Sequence, residues 1–394
     1  MIARPTLGGV ILCFLLGSVH AYSTLIESVE ASTGASRASV SLVYSTATVS
    51  LVLGVLSAPF LLRRVRIDYL ALASALVAAS GLLIASSAAY IPLLAGFGIV
   101  FGLANGLGYA ISVKAAGAAA PGRAAFDLGI ISAAYCGGAM VFAQVYGWFA
   151  TPERWPTGLY VLAALLVVGA LVAMFLLRTP VANPSEALPP SPVSRGDVPR
   201  VALLWVLYFF AMFACLMIFG HAAAIVSAVG GSPGLAAAGA MLVGAGSLVG
   251  SVVAGYFGDR ISPRRILLVS FVAAGIALIA LWQVAAPLPV LIGLSIVGLA
   301  YGAVIAILPA HIQMVFTQSV AFSAFSWIFL GWGVAGFLGP WVAGSVFDAT
   351  GAYRFAFLVA LASLGAATLL ALLLRRLGGC PSDGGRQPVL GRRG

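Results

Sequence analysis

The chain has 394 residues, of which 62% are hydrophobic and 8% are charged, and its formal net charge at pH 7 is +10. Soluble domains contain about 45–50% apolar and about 25% charged residues, so this composition excludes an ordinary soluble protein. The positive charge lies in short clusters between apolar runs. That distribution fits the positive-inside rule of membrane proteins and argues against a nucleic-acid-binding face.

Apolar runs of about 18 or more residues predict membrane-spanning helices, and the sequence contains twelve such runs. The first six predicted spans lie near 7–26, 38–62, 68–90, 92–119, 124–149 and 157–178. The second six lie near 201–229, 234–258, 264–283, 287–310, 319–347 and 353–374. The first run has the length of a secretory signal peptide, but the many similar runs after it favour a retained span. The sequence predicts an all-α integral membrane protein.

A stretch rich in proline and serine separates the two sets of spans at residues 179–200. It has no periodic apolar face, so it predicts a flexible cytoplasmic linker. The expected organisation is an N-terminal six-helix bundle at 1–178, a C-terminal six-helix bundle at 201–376 and a cytoplasmic tail at 377–394.

The sequence contains no pattern for a cofactor or for catalysis. The four cysteines, at 13, 136, 215 and 380, form no CxxC pair and no cluster with histidine, so neither a metal site nor a disulfide framework is expected. No phosphate-binding GxxxxGK[ST] stretch and no hydrolase motif occurs. We therefore expect no cofactor, no metal and no enzymatic activity.

The arginines predict the orientation of the spans. With the N-terminus inside, the inner loops carry most of the basic residues: Arg63, Arg64, Arg66, Arg123, Arg178, Arg195, Arg200, Arg260, Arg264 and Arg265. The outer loops hold a sparser set of mixed sign: Glu27, Glu30, Arg37, Glu153, Arg154, Asp348 and Arg354. This asymmetry predicts that both termini are cytoplasmic and that the chain lies in the inner (plasma) membrane.

The two halves of the chain repeat each other. FGLANG at 101–106 matches VGLAYG at 297–302, which lies 196 residues later. The same offset aligns Gly54 with Gly250, Ala58 with Ala254, Arg64 with Arg260, and Gly137 with Gly333. A looser match pairs VHA at 19–21 with GHA at 220–222. Two six-span halves related by a parallel duplication are typical of one large class of transporters.

The loop between spans 8 and 9 reads GYFGDRISPRR and resembles the G-x-x-x-D-R-x-x-R-R signature of the major facilitator superfamily. A second copy between spans 2 and 3, GVLSAPFLLRRVR, has Leu62 where the aspartate would stand. The stretches at 20–45 and 339–357 resemble the bacterial monocarboxylate and oxalate/formate transporter group of that superfamily. This narrower resemblance implies transport of small organic acids.

The charged loop also predicts a gate. We expect Asp259 and its neighbours Arg260 and Arg264 to meet the start of span 5, where Arg123 and Asp127 lie one turn apart, and to hold the cytoplasmic side closed. The alternative is a plain cluster of positive charge that only fixes topology.

Polar groups inside the bilayer are costly and are candidates for function. In span 4, Asn105, Tyr109 and Ser112 follow an i, i+4, i+7 pattern and share one helix face. The superfamily resemblance implies that spans 1, 4, 7 and 10 line the cavity, so this stripe is predicted to bind substrate. The alternative is hydrogen bonding between helices. Tyr301 occupies the position equivalent to Asn105.

Four further residues are candidates for the substrate site. Lys114, the only lysine of the chain, is a candidate anion partner, although a lysine near the interface can also snorkel to water. His20 and His221, at roughly equivalent places in spans 1 and 7, are candidates to carry a coupling proton or to hydrogen-bond at an outer gate. Tyr208 of span 7 is a candidate cavity residue.

The sequence as a whole favours a secondary active transporter that moves a small organic solute by alternating access. The expected cargo is a monocarboxylate or similar organic anion, with H+ as the coupling ion, and the expected working form is a monomer in the lipid bilayer. The alternative is drug or metabolite efflux by proton antiport, and a more remote one is a sensor built on a transporter fold.

Overall fold

The computed structural model describes residues 3–119, 124–178, 192–258, 260–283 and 286–377. Throughout these ranges the regular structure is helical. Twelve of the helices are long and apolar enough to cross a membrane. The prediction of an all-α protein with twelve spans is confirmed.

The first six spans include two segments that depart from α-helical geometry. Span 1 consists of an α-helix at Arg4–Leu16, a 3₁₀ segment at Gly17–Leu25 and a second α-helix at Ile26–Thr33. Span 4 consists of Tyr90–Leu93, a π-helical segment at Leu94–Phe101 and an α-helix at Gly102–Ala119. Spans 2, 3, 5 and 6 are Arg37–Leu61, Ile67–Ala85, Ala124–Gly147 and Trp155–Leu177.

The second six spans begin with a broken helix. Span 7 runs Val198–Phe219 and is followed, after Gly220 and His221, by a short helix at Ala222–Ala228. Spans 8 to 12 are Pro233–Gly258, Pro263–Gln283, Pro287–Val315, Gln318–Thr350 and Arg354–Leu377. Span 1 extends beyond its predicted end at residue 26, because Glu27 and Glu30 lower the local hydropathy while the helix continues.

The spans alternate in direction, since short connections join consecutive helices. Arg37, Asp348 and Arg354 lie near helix ends on one side of the bundle, which we call the latch end. The arginine-rich connection at 62–66 and the connection at 260–262, which precedes Arg264 and Arg265, lie at the opposite side, which we call the basic end.

The twelve spans form two groups of six. In the first group span 1 packs against spans 4, 5 and 6, while span 2 packs against span 4. In the second group span 7 packs against spans 11 and 12, while span 8 packs against span 10. The two halves meet mainly where span 2 contacts span 11 and where span 5 contacts span 8.

Glycines bring equivalent helix pairs into backbone contact in both halves. In the first half, a Cβ on Gly54 would overlap the carbonyl oxygen of Leu103, and one on Gly106 would overlap that of Leu51. In the second half, a Cβ on Gly250 would overlap the carbonyl oxygen of Leu299, and one on Gly302 would overlap that of Ser247. Each of these second-half residues lies 196 positions after its first-half counterpart. The duplication seen in the sequence is therefore also a repeated packing contact.

These crossings predict a stability difference between two glycine-to-alanine changes. We expect Gly302→Ala to lower the free energy of unfolding by about 1–3 kcal/mol, because the new methyl group overpacks a backbone contact. Gly365→Ala in span 12 is the control, since a Cβ there meets no atom within 4 Å. Alanine should be neutral or stabilising there, by up to about 1 kcal/mol. Thermal unfolding in detergent measures both, and equal melting temperatures would contradict the prediction.

Candidate functional site

The 3₁₀ segment of span 1 carries a histidine into the middle of the molecule. A Cβ on Gly17 would overlap the carbonyl oxygen of Tyr135 in span 5, and one on Gly138 would overlap that of Phe14. The two helices therefore touch through their backbones where span 1 changes from α to 3₁₀ geometry. His20, three residues further on, lies in the interface between the halves.

Five aromatic rings surround the His20 ring, and we call this group the His20 cage. Tyr44 and Tyr135 come from the first half, with ring centroids 5.9 and 5.5 Å from that of His20. The second half supplies Phe219 at 5.2 Å, and Tyr301 and Trp332 at 6.4 Å each. His20 Nδ1 lies 2.6 Å from the Tyr44 hydroxyl. One side chain thus contacts both halves at once.

Asn105 supports the cage from span 4. Its amide Nδ2 donates to the carbonyl of Leu16 over 2.6 Å, and its Oδ1 accepts from the Tyr135 hydroxyl over 3.0 Å. Leu16 ends the first α-helix of span 1 and is the N-cap of the 3₁₀ segment. The Tyr109 ring lies 5.3 Å from that of Tyr135. Asn105 therefore fixes both the helix change and one wall of the cage.

Tyr208, Tyr301 and Trp332 form the second-half side of the site. All three are buried, and Tyr208 lies close enough to interact electrostatically with Tyr109 and Tyr301. Trp332 stacks on Phe329 with centroids 5.5 Å apart, and its indole Nε1 forms no well-aligned hydrogen bond, although it lies close enough to the Tyr301 hydroxyl to interact with it. A buried donor without an acceptor is costly, so this wall suits a ligand that brings an acceptor.

The other predicted substrate residues lie elsewhere. Ser112 is buried beside Gly9 of span 1, and its hydroxyl donates to the carbonyl of Gly108 in its own helix over 2.8 Å. Lys114 is exposed, and His221 belongs to a hydrogen-bond network at the latch end. The structure thus gathers His20, Asn105, Tyr109, Tyr208 and Tyr301, and separates them from Ser112, Lys114 and His221.

The described members of the predicted gate, Arg260, Arg264 and Asp127, lie at the basic end. Arg260 is exposed, with its guanidinium 4.1 Å above the Tyr256 ring, and Arg264 donates to the carbonyl of Ala371 in span 12 over 3.0 Å. Asp127 is buried and accepts from the Thr6 hydroxyl over 3.3 Å. Asp259 and Arg123 lie outside the described residues. A gating role for the five therefore stays a prediction.

The latch end contains a polar network that joins the halves. Asp348, at the end of span 11, accepts from the backbone N–H groups of Arg37 and Ala38 over 3.0 and 2.8 Å. These two N–H groups belong to the first turn of span 2, where the helix dipole favours a negative charge. The carboxylate of one half therefore caps a helix of the other.

Arg37 is the centre of this network. Its Nε donates to Glu30 Oε1 over 2.8 Å, its Nη2 pairs with Glu30 Oε2, and its Nη1 donates to the Tyr353 hydroxyl over 3.1 Å. The guanidinium also lies 4.1 Å above the Phe347 ring. A planar cation with several donors can satisfy a carboxylate, a hydroxyl and a ring face together.

His221 completes the network, and its partners define its tautomer. Burial raises the pKa of Tyr353, so its hydroxyl keeps its proton; it accepts from Arg37 and donates to His221 Nδ1 over 2.8 Å. His221 Nε2 lies 2.8 Å from the carbonyl of Pro340 and 3.0 Å from the Ser41 hydroxyl. A carbonyl only accepts, so Nε2 carries the hydrogen and the ring is neutral.

We call the group the latch: Glu30, Arg37, Ala38, Ser41, His221, Pro340, Phe347, Asp348 and Tyr353. The sequence predicted that the charged residues of the latch lie on the outer side, but not which of them pair. It also gave no indication of Tyr44 or Phe219 of the cage. The available signal was the presence of Glu30, Arg37 and Asp348 at an end otherwise poor in charge.

A protein-family model described as Major Facilitator Superfamily matches residues 7–229 and 204–384. The two matches cover both halves of the chain. The chain belongs to the major facilitator superfamily. Among curated proteins, none matches it in sequence.

Solved structures of the superfamily fold agree. The chain superposes on a D-xylose–proton symporter with a TM-score of 0.73 and 16% identity, covering 94% of this chain and 96% of that one. A bacterial homologue of the human lysosomal transporter Spinster, inward-facing and unoccupied, gives 0.70 and 16%, covering 94% and 96%. The nucleoside transporter NupG gives 0.71 and 15%, covering 95% and 100%. At these identities the likeness establishes the fold.

These results establish the general activity. The chain is a multi-pass membrane protein and a transporter of the major facilitator superfamily, not an enzyme. The predicted membership of the superfamily is confirmed, while the monocarboxylate subgroup stays a prediction.

The latch predicts how one mutation shifts the transporter's conformation. Asp348→Ala removes the acceptor that caps span 2. We therefore expect the state closed at the latch end to be destabilised by about 0.5–1 kcal/mol relative to the open state, which shifts the equilibrium between them by about two- to fivefold. Spin labels at Ala31→Cys and Ala349→Cys, both exposed, would report this as a larger population of long distances. Glu153→Ala, which removes another exposed acid at that end, is the control. An unchanged distance distribution in Asp348→Ala would contradict the proposed role.

Proposed function

We propose that the chain is a secondary active transporter that moves a small monocarboxylate or similar organic anion together with a proton. The observation that carries this proposal is the His20 cage. It lies between the halves and consists of aromatic rings and hydrogen-bond donors around one titratable base. The Tyr301 hydroxyl and the Trp332 Nε1 suit a carboxylate, which offers acceptors only, whereas the hydroxyls of Tyr44 and Tyr135 are already bonded to His20 and Asn105.

Charge balance supports the proton link. An organic anion buried in a low-dielectric site needs a positive partner, and within the described residues His20 is the cage side chain that can gain such a charge. Lys114 is exposed, and Arg37 is engaged by Glu30 and Tyr353 in the latch. Binding of the anion therefore favours protonation of His20, and protonation of His20 favours binding of the anion. Symport requires this linkage.

The described conformation supports alternating access. Hydrogen bonds between described side chains of the two halves extend from mid-bundle, where Cys136 Sγ lies 3.5 Å from Ser247 Oγ, to the latch. Towards the basic end, a Cβ on Gly129 of span 5 or on Gly255 of span 8 would meet no atom within 4 Å. We infer a state that is closed at the latch end and open at the basic end.

The arginine distribution orients this state in the membrane. We propose that the basic end is cytoplasmic, with both termini and the linker at 179–200 on that side, so that the described state faces inwards. In the outward-facing state, Asp259, Arg260 and Arg264 would meet Arg123 and Asp127 at the start of span 5. The two bundles, at 1–178 and 201–376, would move as units within a single monomer.

Uptake into proteoliposomes tests the proposal. We expect labelled short-chain monocarboxylates to accumulate when a proton gradient is imposed. We expect His20→Gln to reduce that accumulation at least about tenfold, because the cage then cannot supply a positive charge.

His311→Gln is the matched control, since His311 is the remaining histidine outside both the cage and the latch. It should leave uptake unchanged. Accumulation that is insensitive to His20→Gln would refute the proton role of His20. If no monocarboxylate accumulates in the unmodified chain, the assignment of the substrate class is wrong.

A further inference from the structure

A second polar cavity lies at the latch end, apart from the His20 cage. Its volume is about 320 Å³. The first half contributes Ser23, Thr24, Glu27 and Ser28 of span 1 and the end of span 5, and the second half contributes the short helix at Ala222–Ala228 and the start of span 8. The cavity therefore exists only where the two halves approach each other.

Glu27 gives this cavity a negative charge. The side chain is exposed into it and lies close to Ser227 of the opposite half. The neighbouring acid Glu30 is paired with Arg37, which directs three of its five N–H donors to Glu30 and Tyr353 and attracts Glu27 only through its charge. The other two arginines of this end lie over rings, Arg154 over Phe149 and Arg354 over Trp282. Among the described side chains, none therefore forms an ion pair with the Glu27 carboxylate.

The hydroxyls beside Glu27 are available as acceptors. Ser23 is buried and lines the cavity, and its Oγ has no hydrogen-bond partner. The Thr24 hydroxyl donates to the carbonyl of Ala21 over 2.7 Å, which leaves its lone pairs free to accept. An unsatisfied buried hydroxyl next to a carboxylate that contacts Ser227 but forms no ion pair with a described side chain suits a ligand with positive charge and several donors.

The remaining walls indicate the kind of cation. Apart from Ser28 and Ser227, they consist of alanines, glycines and Pro233, with no aromatic ring among the lining residues. A quaternary ammonium group is usually held by aromatic faces, whereas a primary ammonium group needs three acceptors. The volume exceeds that of a single ion and has room for several carbon atoms, since a water molecule occupies about 30 Å³ in the liquid.

We propose that this cavity binds a small primary ammonium compound, with Glu27 as its charge partner and Ser23 and Thr24 as its hydrogen-bond acceptors. Because both halves form its walls, the ligand makes all of its contacts only while the latch end is closed. Its binding therefore favours that state, since a ligand shifts a conformational equilibrium by its difference in affinity. The cavity is a second ligand site, one that controls the transporter's conformation from the latch end.

Thermal unfolding of the purified full-length chain in detergent provides the test, with propylammonium chloride as the probe. We expect a saturable rise in the melting temperature that neither 1-propanol nor sodium chloride at equal ionic strength reproduces. Glu27→Gln should weaken the apparent affinity about tenfold or more, and Ser23→Ala about fivefold. Glu153→Gln, an exposed acid of the same end outside the cavity, should leave it unchanged.

Other outcomes would overturn the proposal. An equal rise with sodium chloride would show a general effect of salt or alkali cations, and an equal rise with 1-propanol would show that charge is not recognised. Retained affinity in Glu27→Gln would exclude Glu27 as the partner. If that variant does not fold, Ala150→Leu, which fills the cavity from a loop position, should abolish the response. Unchanged binding in Ala150→Leu would place the ligand elsewhere. The assay needs no transport, so its outcome is independent of the proposed substrate.

Discussion

Backbone contact at glycines is the constraint on which the rest of this structure depends. Lipid tails are as apolar as leucine, so helices in a membrane associate through close packing more than through the hydrophobic effect. Gly54 and Gly106 join spans 2 and 4, and their counterparts Gly250 and Gly302 join spans 8 and 10. These contacts leave little freedom to slide, so each half is suited to move as a unit.

The contacts between the halves are of a different kind. At the latch end they are charged and polar, with Asp348 capping span 2 and Arg37 held by Glu30 and Tyr353. These groups lie at the edge of the bundle, so opening would transfer them to water and not to lipid. A buried ion pair is hard to break when one charge is left buried and unpaired, and water at this end would solvate both charges. Rigid halves joined by a breakable polar contact suit a protein that alternates between two states.

Three groups of polar side chains lie at different levels of the interface between the halves. The cage holds one base among aromatic rings, the latch holds a neutralised network, and the cavity beside the latch holds an acid that forms no ion pair with a described side chain. Each level contains residues from both halves. A change in charge at any of them therefore alters the balance between the two states, which is how binding energy drives a transporter.

The sequence alone determined the twelve spans and their repeat, because hydropathy and a constant offset both follow directly from the order of residues along the chain. It also placed Asn105 and Tyr109 on one face of span 4, since helical periodicity is local. Tertiary structure decided which polar residues meet. His20 and His221 look equivalent in sequence, yet one lies in the cage and the other in the latch, because span 1 continues as a 3₁₀ helix while span 7 breaks at Gly220. The structure places Ser112 and Lys114 away from the candidate site. The neighbouring helices set the environment of each helix face, and sequence periodicity does not reveal those neighbours. The capping of span 2 by Asp348 depends on packing between segments about 300 residues apart, and only the assembled halves bring these two segments together.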